Sequence, residues 1–437
     1  MFFASVRTLA GRIPSLAWGL FCLILLVAPA TNAQIAGIEP RPDQSLTLVE
    51  AIQKAIAASP KLQAAEFGIA AASGTQQQAE LYPNPEASFG IENIGSTGNL
   101  NGNDVIQTTV GVSQLIEMGG KRSARRAVAS AGRLTAETDV QVARLDLIRD
   151  VTIAYANALA AQQSLEIAQE LETAAREVLA DVTRRVNAAR DPLFQKSKAE
   201  VAYAASTVTR QSAETALTAA QQRLARYWGA LGISGTLSEN GYRPIAAPLP
   251  LLDYELLLRS APDLEKFRKA VATREAELHL AEANAVPDLT ASAGVRHFGG
   301  TSGATFVAGL SIPIPILNQN QGEIARSGAE VRRAAQELRQ AELERGQELV
   351  SAWSLWRSAW VEANAIRDRS LPEADRAYAL ALDGYHRGAF AYLEVLDAQR
   401  TRFEQRTKYA EALARLRTAR AETERLAPAA STTGGLQ

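Results

Sequence analysis

Cysteine is nearly missing from this chain of 437 residues: there is one, Cys22. It sits inside Leu16–Val27, an apolar run of 12 residues, with Arg7 and Arg12 before it and Thr31-Asn32-Ala33 after it. That pattern reads as an export signal over residues 1–33, too short and wrongly flanked for a spanning helix. Gly19-Leu20-Phe21 does not resemble a lipoprotein cleavage box, so no lipid anchor is expected at Cys22. The chain left after Gln34 holds no cysteine, which excludes disulfides, thiolate metal sites and cysteine nucleophiles. Histidine is almost as scarce: His279, His297 and His386 are the only three, far apart and in no metal-ligand motif, so no metal site is expected. Charge of one sign is not in excess, with 46 basic against 47 acidic residues. Nothing therefore pulls the chain toward nucleic acid. Aromatics make up 6%. After the signal no apolar run reaches the length of a membrane-crossing helix. No nucleophile, base and orienting group stand out together, so neither a catalytic residue nor a cofactor is expected.

What is present is alanine, helical periodicity and a repeat. Ser59-Pro60-Lys61-Leu62 is similar to Ala261-Pro262-Asp263-Leu264, and a second proline follows the first by 25 residues in both places, at Pro85 and Pro287. Gly111-Val112-Ser113 is similar to Gly309-Leu310-Ser311. Val186–Glu200 lies over Tyr385–Gln399 at a constant offset of 199. The chain thus reads as two similar halves, 34–242 and 251–427, joined by the proline-rich Arg243–Pro250, with a flexible tail at 428–437. Each half has the same order: a helix, two strands, a very long helix, a tight turn and a returning helix.

In the first half one helix is expected over Leu46–Leu81. Strands follow at Glu86–Ile94 and Asp104–Leu115, around the polar, glycine-rich loop Gly95–Asn103. Lys121–Ala189 then runs without a proline, which is about 100 Å of helix if unbroken. Gly322–Gly388 repeats this with one proline, Pro372. Leu171, Ala175, Val178, Val182 and Val186, and Leu349, Trp353, Trp356 and Trp360, recur three and four apart, the spacing of paired helices. The fold class is therefore mainly α with a small β part, internally duplicated.

The strands alternate strictly. Ala87, Phe89 and Ile91; Ile106, Thr108, Val110 and Val112; Leu289, Ala291, Ala293 and Val295; and Phe306, Ala308, Leu310 and Ile312 form apolar faces. Their opposite faces carry Ser88, Gly90, Glu92, Gln107, Thr109, Gly111, Ser292, Gly294, Arg296, Gly309 and Ser311. Short strands, apolar outside and polar inside, are the pattern of a membrane β-barrel, with Phe89, Ile91, Val110, Val112, Phe306 and Leu310 facing lipid. A bilayer tolerates no open sheet edge. Four strands are too few to enclose a water-filled lumen, so several chains would share one transmembrane β-barrel. A soluble four-stranded sheet packed on a helix explains the alternation equally well. Gly119-Gly120-Lys121-Arg122 lacks the upstream glycine and the Ser/Thr after lysine that a phosphate loop needs. It reads better as a break between strand and helix, with Lys121, Arg122, Arg125 and Arg126 at the membrane boundary.

With these features together the chain resembles the outer-membrane efflux protein family, the tunnel proteins related to TolC. The residues that carry the resemblance include Tyr385-His386-Arg387-Gly388, followed by Leu393-Glu394-Val395-Leu396-Asp397-Ala398-Gln399. Leu81–Gly95 and Ser113–Arg126 are most similar to the outer-membrane component of cobalt–zinc–cadmium efflux systems. The resemblance implies a homotrimer in the outer membrane of a Gram-negative bacterium. Twelve strands, four per chain, would form the barrel, and twelve long helices a tunnel into the periplasm. It implies as partners a periplasmic adaptor (membrane fusion) protein, an inner-membrane proton-driven pump and outer-membrane lipid. The turns holding Arg190, Asp191 and Pro192, and Arg387, Gly388 and Ala389, would be the periplasmic tips that dock the adaptor. Asp191-Pro192 also suits a helix start, as N-cap and first-turn proline.

By the same resemblance Glu394 and Asp397 match acidic residues that ring the tunnel's constriction. They are three apart and share a helix face. A ring of such carboxylates attracts cations. A solvated helix face is the equal alternative for this pair; for the turns the alternative is a plain helical hairpin, with adaptor docking the favoured reading. The positions in the first half that match the acidic pair are Gln195 and Lys198, and Lys198 could pair with a carboxylate of a neighbouring helix. Phe390 stands where some relatives carry an arginine that locks a closed tip. The implied function is a passive exit duct for divalent heavy-metal cations. A duct for drugs or secreted polypeptides, and a periplasmic coiled-coil scaffold outside any membrane, remain as alternatives.

Overall fold

Residues 45–94, 105–239, 246–300 and 303–428 are described by the computed structural model. The export signal, the Gly95–Asn103 loop, the first part of the proline-rich joint and nearly all of the tail lie outside the described residues. The chain starts with α1, Leu48–Ala58, entered through a capping box: Thr47 N–H donates to Glu50 Oε2 at 2.9 Å, and Glu50 N–H to Thr47 Oγ1 at 3.3 Å. The single helix expected over Leu46–Leu81 is in fact two. Pro60 has no N–H to continue α1 and keeps Ser59 extended, at φ −72° and ψ 112°. Ser59 Oγ then accepts from Leu62 N–H at 3.3 Å and caps α2, Pro60–Glu80.

Strands β1, Glu86–Glu92, and β2, Gln107–Ile116, lead into α3, Lys121–Asn187, an unbroken helix of 67 residues. A tight turn reverses the chain into α4, Leu193–Ala225. The second half repeats the order: α5, Leu251–Leu258; α6, Pro262–Asn284; β3, Leu289–Phe298; β4, Ala304–Ser311; α7, Gln321–Ala365; α8, Leu371–His386; and α9, Tyr392–Leu426. Here the long helix is not continuous. A π-helical turn, Ile366–Ser370, separates α7 from α8. Pro372 removes a donor and crowds the preceding turn, and the wider turn absorbs both effects.

α4 packs chiefly on α3, and α9 packs on α7, α8 and also along α3, which joins the halves. Leu349, Trp356, Leu413 and Leu416 centre the core of the second half; Val151, Tyr155, Leu159 and Leu224 centre that of the first. A third cluster, Val178, Val182, Tyr385, Tyr392 and Val395, takes side chains from both halves at the hairpin tips. Buried Arg425 of α9 bridges Asp263 of α6 and Asp146 of α3, the latter at 2.8 Å. An unpartnered charge there would cost several kcal/mol, on the order of 3–5.

The four strands form one antiparallel sheet in the order β1-β2-β3-β4. The halves meet at β2 and β3, while β1 and β4 are the two edges. Phe89, Val110, Val295 and Phe306 stand in one row across the sheet, and Ala87, Val112, Ala293 and Ala308 in the next. Leu310 lies opposite Ala291, and Ile91 opposite Thr108, on the same face. This face is uncovered: Phe89 is 69% exposed, Leu310 75% and Phe306 93%. The other face holds Gly90, Thr109, Arg296 and Thr305 in a row, with Arg296 Nε–H donating to Thr109 Oγ1 at 3.0 Å. Among the described residues no helix is long and apolar enough to cross a membrane.

Candidate functional site

Two places in the molecule are built with more precision than helix packing requires: the paired hairpin tips and the junction between sheet and helices. At the first tip α3 ends at Asn187, and Ala189 takes a left-handed conformation, φ +54°. At the second, Gly388 takes the matching conformation, φ +78°, at the matching chain position 199 residues on. Both turns close with backbone bonds: Arg190 N–H donates to Arg185 O, and Ala389 N–H to Gly384 O. Glycine accommodates this geometry without strain, whereas alanine carries about 1–2 kcal/mol of it. Phe390 lies directly over Gly384, where any Cβ would collide with its ring.

The tips are tied across the halves. Arg185 Nε–H donates to Asp191 Oδ2 at 2.9 Å, and Tyr385 O–H donates to the same oxygen at 3.2 Å. The Arg185 guanidinium also lies 4.5 Å from the centroid of the Tyr385 ring. Tyr385 is only 2% exposed. Burial pushes its hydroxyl up to about 12, reinforced by the Asp191 charge and opposed by Arg185. Asp191 is therefore not a helix cap: α4 begins at Leu193, and no side chain caps its first turn. The carboxylate is drawn instead to the partly buried guanidinium, a stronger donor than a backbone N–H. Sequence reasoning placed Asp191 at the tip but missed Arg185 and the Tyr385 hydroxyl. The available signal was Tyr385 standing where the first half has Val186: a buried hydroxyl needs a partner.

Glu394 and Asp397 lie within the first two turns of α9, beside the tip. Buried Tyr392, Val395 and Gln399 hold that helix against the core, which leaves both carboxylates exposed on the opposite side. Among the described residues neither has an ion-pair partner within the protomer. Among the described residues Lys198 pairs with no carboxylate of its own protomer; its ammonium lies 5.3 Å from the Phe194 ring centroid. Arg387 bonds Asp383 of its own helix at 2.9 Å, and Arg190 and Pro192 are exposed.

At the other end Gly119, φ +66°, and Gly120, φ +74°, turn β2 into α3. A Cβ on Gly119 would lie 2.6 Å from Val286 Cβ. Around this bend Lys121, buried, bonds Asp288 at 2.7 Å, and Met118 N–H donates to the other Asp288 oxygen at 2.9 Å. Arg125 pairs with Glu117, Arg126 with Glu80 at 3.3 Å, and Arg122 covers the Tyr82 ring at 3.8 Å. The basic cluster at the strand–helix break is thus engaged inside the protomer. Among the described residues no group of three or more His, Cys, Asp or Glu side chains is placed to hold a metal ion.

Long paired helices that end in tied hairpins and carry a small sheet with one bare apolar face define a tunnel protein with a β part for the membrane. The chain matches the family model described as "Outer membrane efflux protein" over residues 51–230 and 254–427, and it belongs to that family. It is similar to the cobalt-zinc-cadmium resistance protein CzcC of Cupriavidus metallidurans, 29% identical over 87% of this chain and 89% of that one. It is also similar to the nickel and cobalt resistance protein CnrC of the same organism, 28% identical over 67% and 69%. In fold it resembles CusC, whose structure concerns transmembrane channel formation. The TM-score there is 0.71 at 19% identity, over 87% of this chain and 92% of that one. The outer membrane protein VceC of Vibrio cholerae gives 0.68 at 18% identity, over 87% and 95%. The protein is accordingly an outer-membrane efflux component whose helical tunnel extends into the periplasm.

Proposed function

We propose that the protein is the passive exit duct of a three-part efflux pump and carries divalent heavy-metal cations, such as cobalt, zinc or cadmium, to the exterior. The observation that carries this reading is the similarity to CzcC along nearly the whole of both chains. Three copies share one barrel, with Phe89, Ile91, Val110, Val112, Phe306 and Leu310 against lipid. The bare apolar rows of the sheet and its two free edges support that arrangement. The periplasmic tips, at Arg190, Asp191, Pro192, Arg387, Gly388 and Ala389, meet an adaptor, and through it a proton-driven pump in the inner membrane. The reading needs no cofactor and no catalytic step in this chain. The repeat units, 34–242 and 251–427, each supply half of one protomer's share of barrel and tunnel.

Glu394 and Asp397 form the constriction ring, six carboxylates in a trimer. Their exposure, and the lack of an ion-pair partner among the described residues of the protomer, support this, since a filter must keep its charge available. In planar bilayers the pair Glu394→Gln and Asp397→Asn is expected to lower cation-over-anion preference several-fold. An unchanged reversal potential would remove these residues from the filter. The cargo is tested by growth of a strain lacking the protein, across graded cobalt, zinc, cadmium and nickel and a panel of dyes and antibiotics. Sensitivity confined to metals and restored by the intact gene is the expected result. Sensitivity to organic compounds alone would keep the duct and discard the metals.

A further inference from the structure

The connection from β4 to α7 is unusual for its exposure. Ile314, Ile316 and Leu317 are 76–89% exposed, in a stretch punctuated by Pro313 and Pro315. With Leu115, Val286 and Pro287 they line a groove at the helix end of the sheet. A second exposed apolar pair, Leu81 and Tyr82, lies just before β1. β4 ends where β1 begins, so both patches belong to the same end of the sheet. They flank opposite edges of it, because the strand order is β1-β2-β3-β4. Those edges are about 14 Å apart, three strand spacings. The patches of one protomer cannot cover each other across that distance.

The internal duplication shows what covers them. Within the protomer the end of β2 meets the start of β3. There Gly119 lies against Val286, and Met118 and Lys121 hold Asp288. β4 matches β2, through Gly309-Leu310-Ser311 and Gly111-Val112-Ser113. β1 matches β3, through Pro85 and Pro287 at equal distance from Pro60 and Pro262. The joint equivalent to β2-end with β3-start is therefore β4-end with β1-start, and it can form only between two copies. Its chemistry differs from the internal joint. Where the internal joint has a lysine–aspartate clasp, this one has isoleucine and leucine on one side and leucine and tyrosine on the other. The prolines fit this place: they remove donors just past the last β3–β4 pair, so the segment leaves its own sheet and turns an apolar surface outward.

We infer that Ile314, Ile316 and Leu317 of one copy form an apolar clasp with Leu81 and Tyr82 of a second copy of this chain, sealing the subunit seam at the membrane's periplasmic face. This rests on the trimeric reading proposed above and assigns its seam to these residues.

Cys22 is the only cysteine of the chain, and none follows it, so the Cys22→Ser chain serves as the background for site-specific linking. Tyr82→Cys with Leu317→Cys, and separately Leu81→Cys with Ile316→Cys, are to be made in the full chain. Each protein is taken from outer membranes in mild detergent and treated with a short bismaleimide. Its native mass is measured by light scattering, and its linked mass on denaturing gels. The expected result is a native trimer with covalent dimer and trimer bands for the double variants and none for the single ones. A native trimer that yields only monomer bands for both pairs overturns the clasp and leaves the trimer standing. A native monomer removes the trimeric reading, and the clasp with it. As a second measurement, Ile316→Asp with Leu317→Asp is expected to shift the protein toward monomer at detergent concentrations where the parent stays trimeric. An unchanged trimer that instead binds lipid vesicles more weakly would assign the segment to lipid and overturn the proposal.

Discussion

Gly119→Ala is expected to lower the stability of the protein by about 3 kcal/mol, the sum of a left-handed backbone penalty and an overpacked contact. At φ +66° the new Cβ would lie 2.6 Å from Val286 Cβ, 2.8 Å from Val286 Cγ2 and 3.0 Å from the Ala283 carbonyl. Two of these atoms belong to a short branched side chain and one to backbone, so none can swing aside cheaply. The bend carries more than its own strain. Met118 and Lys121 reach Asp288 from it, so moving the bend loosens the sheet from the helices. Gly120→Ala is the control: its φ is +74°, but its nearest neighbour is the Ser123 hydroxyl at 3.2 Å. It should lose only the backbone part, about 1–2 kcal/mol. Thermal unfolding followed by circular dichroism in mild detergent separates the two, and equal melting temperatures would refute the steric account.

At the opposite end, Asp191→Ala is expected to loosen the tie between the hairpin tips by about 3 kcal/mol, roughly a 100-fold shift in an equilibrium that parts them. The aspartate is the shared acceptor for Arg185 and Tyr385. Without it a partly buried guanidinium loses its carboxylate, keeping only the Tyr385 carbonyl at 3.3 Å and the Tyr385 ring, and a buried hydroxyl loses its acceptor. Single-channel recordings should show larger or longer openings than the parent protein. Unchanged conductance and dwell times would mean that this tie does not hold the tip. Tyr385→Phe keeps the ring under Arg185 and should have the smaller effect, about 1 kcal/mol. A pH dependence follows from the same contact. The Tyr385 hydroxyl is raised from its ordinary value near 10 to about 12, so the folded tip holds that proton more tightly than the unfolded chain. Its contribution is complete below pH 10 and fades as pH rises toward 12. The Phe variant should lack this loss.

Much of the architecture was legible because absence is informative. With no proline between Lys121 and Ala189 nothing interrupts α3, and the structure ends that helix at Asn187, two residues short of the expected limit. Alternation in the strands is a two-residue period with no helical counterpart, so the apolar rows could be listed before their neighbours were known. The misplaced details were local contests between nearly equal conformations. Ser59-Pro60 marks a helix start as readily as a point inside a helix, and its cap decided in favour of a start. Pro372 was visible, but the π-helical turn that absorbs it depends on the packing of α7, α8 and α9 around it.

The sequence by itself determined the duplication, the length of α3, the two faces of each strand and the position of the tips, because each follows from spacing along the chain. Only the tertiary structure decided that β2 pairs with β3 and leaves β1 and β4 as edges. The same holds for Asp191, which answers Arg185 and a tyrosine 194 residues away, and for Gly119, which lies against Val286. Periodicity is a property of neighbours in the chain, whereas these contacts depend on which surfaces are left uncovered once the helices have packed.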